Sequence, residues 1–101
     1  MPWGSVAFQV LPMTAGEKEL VFAAVDRAIA VVDAAGVKYE VGPLETVMEG
    51  EIEELLALVY RAQAAVKEAG IKSVLTYVKI VNSDEPCSSE EKVAKYRAAG
   101  H

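Results

Sequence analysis

The chain carries one cysteine and one histidine in 101 residues, and both lie at its C-terminal end, as Cys87 and His101. A single cysteine excludes an intrachain disulfide and a cysteine-pair metal site. With no histidine elsewhere, the nucleophile–base pair of acyl-transfer chemistry is missing too. No glycine-rich phosphate loop is present, because the seven glycines are spread along the chain. Basic residues are scarce: ten Lys and Arg stand against fifteen Asp and Glu, for a net charge of −5. Phosphate backbones are held by clustered Lys and Arg, so no nucleic-acid partner is expected. The N-terminal apolar stretch has no basic residue ahead of it and is interrupted by Gln9 and Pro12. Neither a signal peptide nor a membrane-spanning helix is therefore expected, and a cytoplasmic address is the default.

Apolar residues, by contrast, are plentiful at 52%. The length predicts one domain over 1–101. A chain of this size buries only roughly 60–70% of the surface its unfolded form exposes. So apolar a chain with so thin a core is expected to bury part of its surplus between subunits.

The chain contains a weak internal repeat. "AVVDAAGVKYEV" from Ala30 to Val41 matches "AAVKEAGIKSVL" from Ala64 to Leu75, with Gly36 and Gly70 in register. Each glycine follows a helical pattern and precedes an alternating one, the place for a left-handed helix end. In the first helix Val21, Val25, Ala28, Ile29 and Val32 form an apolar stripe, and Thr14 and Glu17 have capping-box spacing ahead of it. In the second the stripe is Ile52, Leu55, Leu56, Val59 and Val66, behind acidic Glu51, Glu53 and Glu54. Alternation predicts strands over about Ser5–Leu11, Lys38–Val41, Glu45–Glu49 and Ser73–Val81. A short third helix is expected after "SSEEK", where Ser88 and Glu91 repeat the capping-box spacing.

The order is βαβ twice over. With right-handed crossovers, the third strand falls between the first two and the fourth flanks the first. This is an α+β, ferredoxin-like βαββαβ sandwich: a four-stranded antiparallel sheet with two helices on one face and a short C-terminal helix. The other sheet face is bare in a monomer. Both sides of the fourth strand are apolar, with Leu75 and Tyr77 on one and Val74, Val78 and Ile80 on the other. A water-facing strand alternates more cleanly. A second subunit is expected on the bare face, the alternative being the chain's own C-terminal segment.

Polar groups on or beside the sheet are Gln9, Tyr39, Thr46, Glu49, Thr76, Tyr77 and Lys79. Carboxylate, amide, hydroxyls and aromatic faces suit a flat, nitrogen-rich or cationic small molecule. The competing reading pairs Glu49 with a lysine such as Lys79 and leaves Tyr39, Tyr77, Thr46 and Thr76 as ordinary strand residues. Glu49, Glu51 and Glu53 could attract a hard cation, but such residues more often form a solvated helix start. No metal is expected. A lone carboxylate in an apolar pocket could act as a base, yet without a partner group no enzyme activity is expected.

Three stretches together resemble the small thiamine-binding protein family: "VLPMT" at Val10–Thr14, "GVKYEVGPLETVMEG" at Gly36–Gly50 and "VLTYVKI" at Val74–Ile80. The resemblance runs across almost the whole chain, in order and with matching spacings. It implies a ferredoxin-like fold, a homodimer or homotetramer, and non-catalytic binding of thiamine or its hydroxymethylpyrimidine moiety, with no separate cofactor. The positions carried over are Tyr39, Pro43, Thr46, Glu49, Gly50, Thr76 and Lys79. With the resemblance in view, Glu49 becomes the preferred ligand contact, with Thr46 and Gln9 beside it, so the candidate site is Gln9, Tyr39, Thr46, Glu49, Thr76 and Lys79. Two departures stand out. Glu45 occupies a position that is usually glycine, and the segment after the last strand reads "VNSDEPCSSEEK". The remaining alternative is an oligomeric regulatory or interaction module without a small-molecule ligand.

Overall fold

The computed structural model describes residues 3–13 and 18–83. Its elements are β1 (Trp3–Pro12), α1 (Lys18–Ala34), β2 (Lys38–Val41), β3 (Thr46–Glu51), α2 (Ile52–Glu68) and β4 (Val74–Asn82). The strands form one sheet in the order β2-β3-β1-β4, with every neighbouring pair antiparallel. This is the expected βαββαβ arrangement. The capping box at Thr14 and Glu17 and the short C-terminal helix expected after Ser88 lie outside the described residues.

Both helices end as their glycines require. At the end of α1 the Gly36 N–H donates to the Asp33 carbonyl with φ at 75°. At the end of α2 the Gly70 N–H donates to the Lys67 carbonyl with φ at 101°. A side chain at either position would meet steric strain in this left-handed region.

The core lies between the sheet and the helices. From β1 it takes Val6, Phe8 and Val10, from β3 Met48, and from α2 Leu55, Leu58, Val59, Ala62 and Val66. The helical stripes are shifted slightly from expectation. On α1 the fully buried positions are Ala24, Ala28 and Val32, while Val21, Val25 and Ile29 are half-buried. On α2, Leu58 and Ala62 are buried and Leu56 is exposed. Alanines at the packed face let helices approach closely, and the larger Val25 and Ile29 sit at the margin, where they line a cavity.

Strand pairing fixes what shares a face. On the helix-covered face, Tyr39, Met48, Val6 and Ile80 form one row and Val41, Thr46, Phe8 and Val78 the next. On the open face the rows are Lys38–Glu49–Ser5–Val81 and Glu40–Val47–Ala7–Lys79, followed by Gln9–Tyr77 and Leu11–Leu75. No described helix is long and apolar enough to cross a membrane.

Candidate functional site

β1 outruns β3. It pairs with β4 as far as Pro12↔Val74, but with β3 only as far as Phe8↔Thr46. Successive residues of an antiparallel strand aim their N–H and C=O groups at opposite neighbours. Beyond Phe8, therefore, the main-chain groups of either Gln9 or Val10 face the side where β3 has ended. The chain there is the β2–β3 turn, closed by a hydrogen bond from the Gly42 N–H to the Glu45 carbonyl at 2.9 Å. No backbone hydrogen bond joins this turn to the β1 edge among the described residues.

The gap is a cavity of about 280 Å³. Its floor is Phe8, Gln9, Val10 and Thr46, one wall is Val25, Asp26 and Ile29 of α1, and the other is the turn from Val41 to Glu45. Thr46 is only 5% exposed, and its hydroxyl, like the Gln9 amide and the Asp26 carboxylate, makes no hydrogen bond or ion pair with another described residue. A second, larger hollow of about 430 Å³ lies on the open face, lined by Ala7, Gln9, Leu44, Glu45, Tyr77, Val78 and Lys79. Gln9, Leu44 and Glu45 border both hollows.

Glu49 lies elsewhere. It is three residues from Thr46, an odd separation, so the two side chains project from opposite faces of β3. Glu49 is 8% exposed on the open face. Its Oε2 lies 3.4 Å from the Lys38 Nζ, so the lysine it meets is Lys38 on β2. Lys79 meets Glu45 instead, with Nζ 2.7 Å from Oε1. That ion pair spans β1 above Ala7, whose small methyl leaves room for it. Glu45 thus places a charge at the rim of both hollows.

The remaining candidates are on the helix-covered face. Tyr39 is half-buried against the core, and its hydroxyl donates to the Asp33 Oδ1 at 2.9 Å. That hydrogen bond, with partial burial and the nearby negative charge, raises the Tyr39 pKa above its ordinary 10.0. Thr76 accepts a hydrogen bond from Gln63 Nε2 at 2.9 Å, which ties β4 to α2. The structure brings Gln9 and Thr46 to the border of one cavity, although Gln9 belongs to the open-face row and Thr46 to the helix-covered one, and it links Lys79 to the rim through Glu45. It separates them from Glu49, Tyr39 and Thr76.

Asp26, Ile29 and Leu44 also line the 280 Å³ cavity, and none of them was a sequence-derived site candidate. Helical spacing sets Asp26 beside the Val25 and Ile29 stripe, but nothing in the sequence announces the turn that faces it. Among the described residues no three Asp, Glu, His or Cys side chains cluster to hold a metal ion.

Comparison with known proteins agrees across nearly the full chain. A family model described as thiamine-binding protein matches residues 6–97. A UPF0045 protein of Clostridium perfringens is 40% identical over 93 residues, covering 92% of this chain and 96% of the relative. Among solved structures, a domain of unknown function from Bacillus cereus superposes with a TM-score of 0.85 at 41% identity, over 96% of this chain and 92% of that one. A Thermotoga maritima protein, provisionally assigned to thiamine biosynthesis or salvage, superposes with a TM-score of 0.80 at 34% identity, over 95% and 100% of the two chains. The chain belongs to the thiamine-binding protein family.

Proposed function

We propose that the chain binds thiamine, or its hydroxymethylpyrimidine half, without catalysing a reaction, and that it does so as a homo-oligomer. The observation that carries this reading is the cavity at the break in the sheet, where the unpartnered Thr46 hydroxyl lies beside a β1 edge, at Gln9 and Val10, that β3 does not cover. An aminopyrimidine offers an amino donor next to a ring-nitrogen acceptor. A strand edge offers the complementary carbonyl and N–H, and a hydroxyl adds a further contact. The apolar walls formed by Phe8, Val25 and Ile29 suit the faces of a flat ring. At about 280 Å³ the cavity falls just below the roughly 300–1,000 Å³ usual for small-molecule sites. It has room for one heteroaromatic ring, and the rest of a larger ligand would pass Gln9 toward the open-face hollow. Among the described residues, histidine, cysteine and lysine are absent from its lining, which supports binding rather than catalysis.

The open face supports the oligomer. Trp3, Leu75, Tyr77 and Val81 are exposed on it, in strand rows that also carry the Lys38–Glu49 and Lys79–Glu45 pairs. Mixed signs beside an apolar strip are self-complementary, as a two-fold contact between identical chains requires. In this reading Glu49 organises the covered face and does not contact the ligand. The same strip favours the second reading, an interaction module without a ligand.

Titration calorimetry separates the two. Thiamine or hydroxymethylpyrimidine is expected to bind at micromolar Kd or tighter, about −8 kcal/mol. Replacement Thr46→Val should weaken it about fivefold, the worth of one hydrogen bond. No heat with either compound would leave the interaction module as the better reading.

A further inference from the structure

Resting on the thiamine-binding reading, we propose that the cavity takes the unphosphorylated ligand and rejects its phosphate esters, and that Asp26 sets this preference. Phosphate sites are built from Lys, Arg, helix N-termini or arrays of N–H groups. Among the described residues the lining contains no Lys, Arg or His, and its two charged side chains are Asp26 and Glu45, on opposite walls. Glu45 is neutralised by Lys79. Lys38, the other sheet lysine, lies against Glu49 across the open face. Asp26 has no such counter-ion among the described residues, so it is the uncompensated charge among the described lining residues. Asp26 also lies in the middle of α1 (Lys18–Ala34), more than a turn from either end, so the helix dipole does not offset it there.

The charged parts of a larger ligand pass Gln9 toward the open-face hollow, where Glu45 and Lys79 neutralise each other, so Asp26 is left as the uncompensated charge among the described lining residues, acting over a Debye length of about 8–10 Å at ordinary salt. The thiazolium of thiamine is a permanent cation and is attracted. A phosphate ester adds about one to two negative charges near neutral pH and is repelled. The net charge of −5 acts in the same direction over a longer range.

The test is calorimetric titration with thiamine, thiamine monophosphate and hydroxymethylpyrimidine. Each is run at low and high ionic strength on the wild-type chain and on Asp26→Asn and Asp26→Lys. Asp26 is exposed on α1, so both variants should melt as the wild type does. The wild type should bind thiamine at least about tenfold more tightly than the monophosphate at low salt, with the ratio shrinking at high salt. The ratio should fall in Asp26→Asn and approach or pass unity in Asp26→Lys. Affinity for hydroxymethylpyrimidine, which carries neither thiazolium nor phosphate, should change least. Equal binding of thiamine and its monophosphate by the wild type, or a ratio that ignores both substitutions, overturns the proposal while leaving the thiamine reading intact. Binding of none of the three overturns that reading and this proposal together.

Discussion

β1 and β4 are neighbours in one sheet, both rich in apolar residues, and they live in different environments. β1 is central, and Ser5, Val6, Ala7, Phe8 and Val10 are buried across both its faces. β4 is an edge strand, and Leu75, Tyr77, Val78, Ile80 and Val81 stay between 40% and 57% exposed. Composition alone does not separate them; position in the sheet does. A central strand is covered by helices on one face and flanked by strands on both sides, whereas an edge strand this apolar invites a partner. The cavity arises from the same asymmetry, because β1 has β4 along its whole length and β3 along only part of it.

The comparison can be broken most forcefully in the core. Phe8→Ala should cost about 3–5 kcal/mol of unfolding free energy in denaturant melts, and Tyr77→Ala on β4 should cost far less. Similar losses at both sites would mean that β4 is as well packed as β1. Next in size is Gly4→Ala, where an added Cβ would run into the backbone carbonyl oxygen of Val81. Separating β1 from β4 at that end should cost about 1–3 kcal/mol; an unchanged midpoint would show that the two strands are not held so close. A charge on the open side of β4, as in Tyr77→Asp, should barely change secondary structure but shift the mass in sedimentation toward the monomer. An unaltered mass would exclude that face as the contact.

The smallest expected effect is at Tyr39. Its pKa is raised by the hydrogen bond to Asp33, so the neutral phenol is the form favoured in the folded chain. The stabilisation is fully present below the ordinary value of 10.0 and is lost as pH rises through the higher folded value. The Tyr39 ring should therefore titrate above 10.0 by NMR, and Asp33→Ala should bring its titration back down. A Tyr39 titration that Asp33→Ala leaves unmoved would show that the Asp33 contact does not persist in solution.

Much of the fold was legible in the sequence. Period-two alternation marked the strands, and Gly36 and Gly70 marked the helix ends. Right-handed crossovers then gave the strand order. The burial of Leu58 and Ala62 was less legible, because the buried stripe of α2 depends on how closely the helices approach. Site residues divided in the same way. The odd spacing of Thr46 and Glu49 already assigns them to opposite faces, a consequence of strand parity that reading the polar residues as one set overlooked. The pairing of Glu49 with a lysine was foreseeable in kind, but the choice of Lys38 over Lys79 depends on Lys79 reaching across β1 to Glu45. Asp26 could not be found from the sequence, since its role depends on where β3 stops relative to β1.

The most direct measurement is an NMR titration of the isotopically labelled chain with thiamine, followed by amide shift changes. The account predicts changes concentrated at Gln9, Val10, Asp26, Ile29, Gly42 and Glu45, around the gap that β3 leaves beside β1. Changes centred on Ser5, Lys38 and Glu49 would place the ligand on the open face and contradict it.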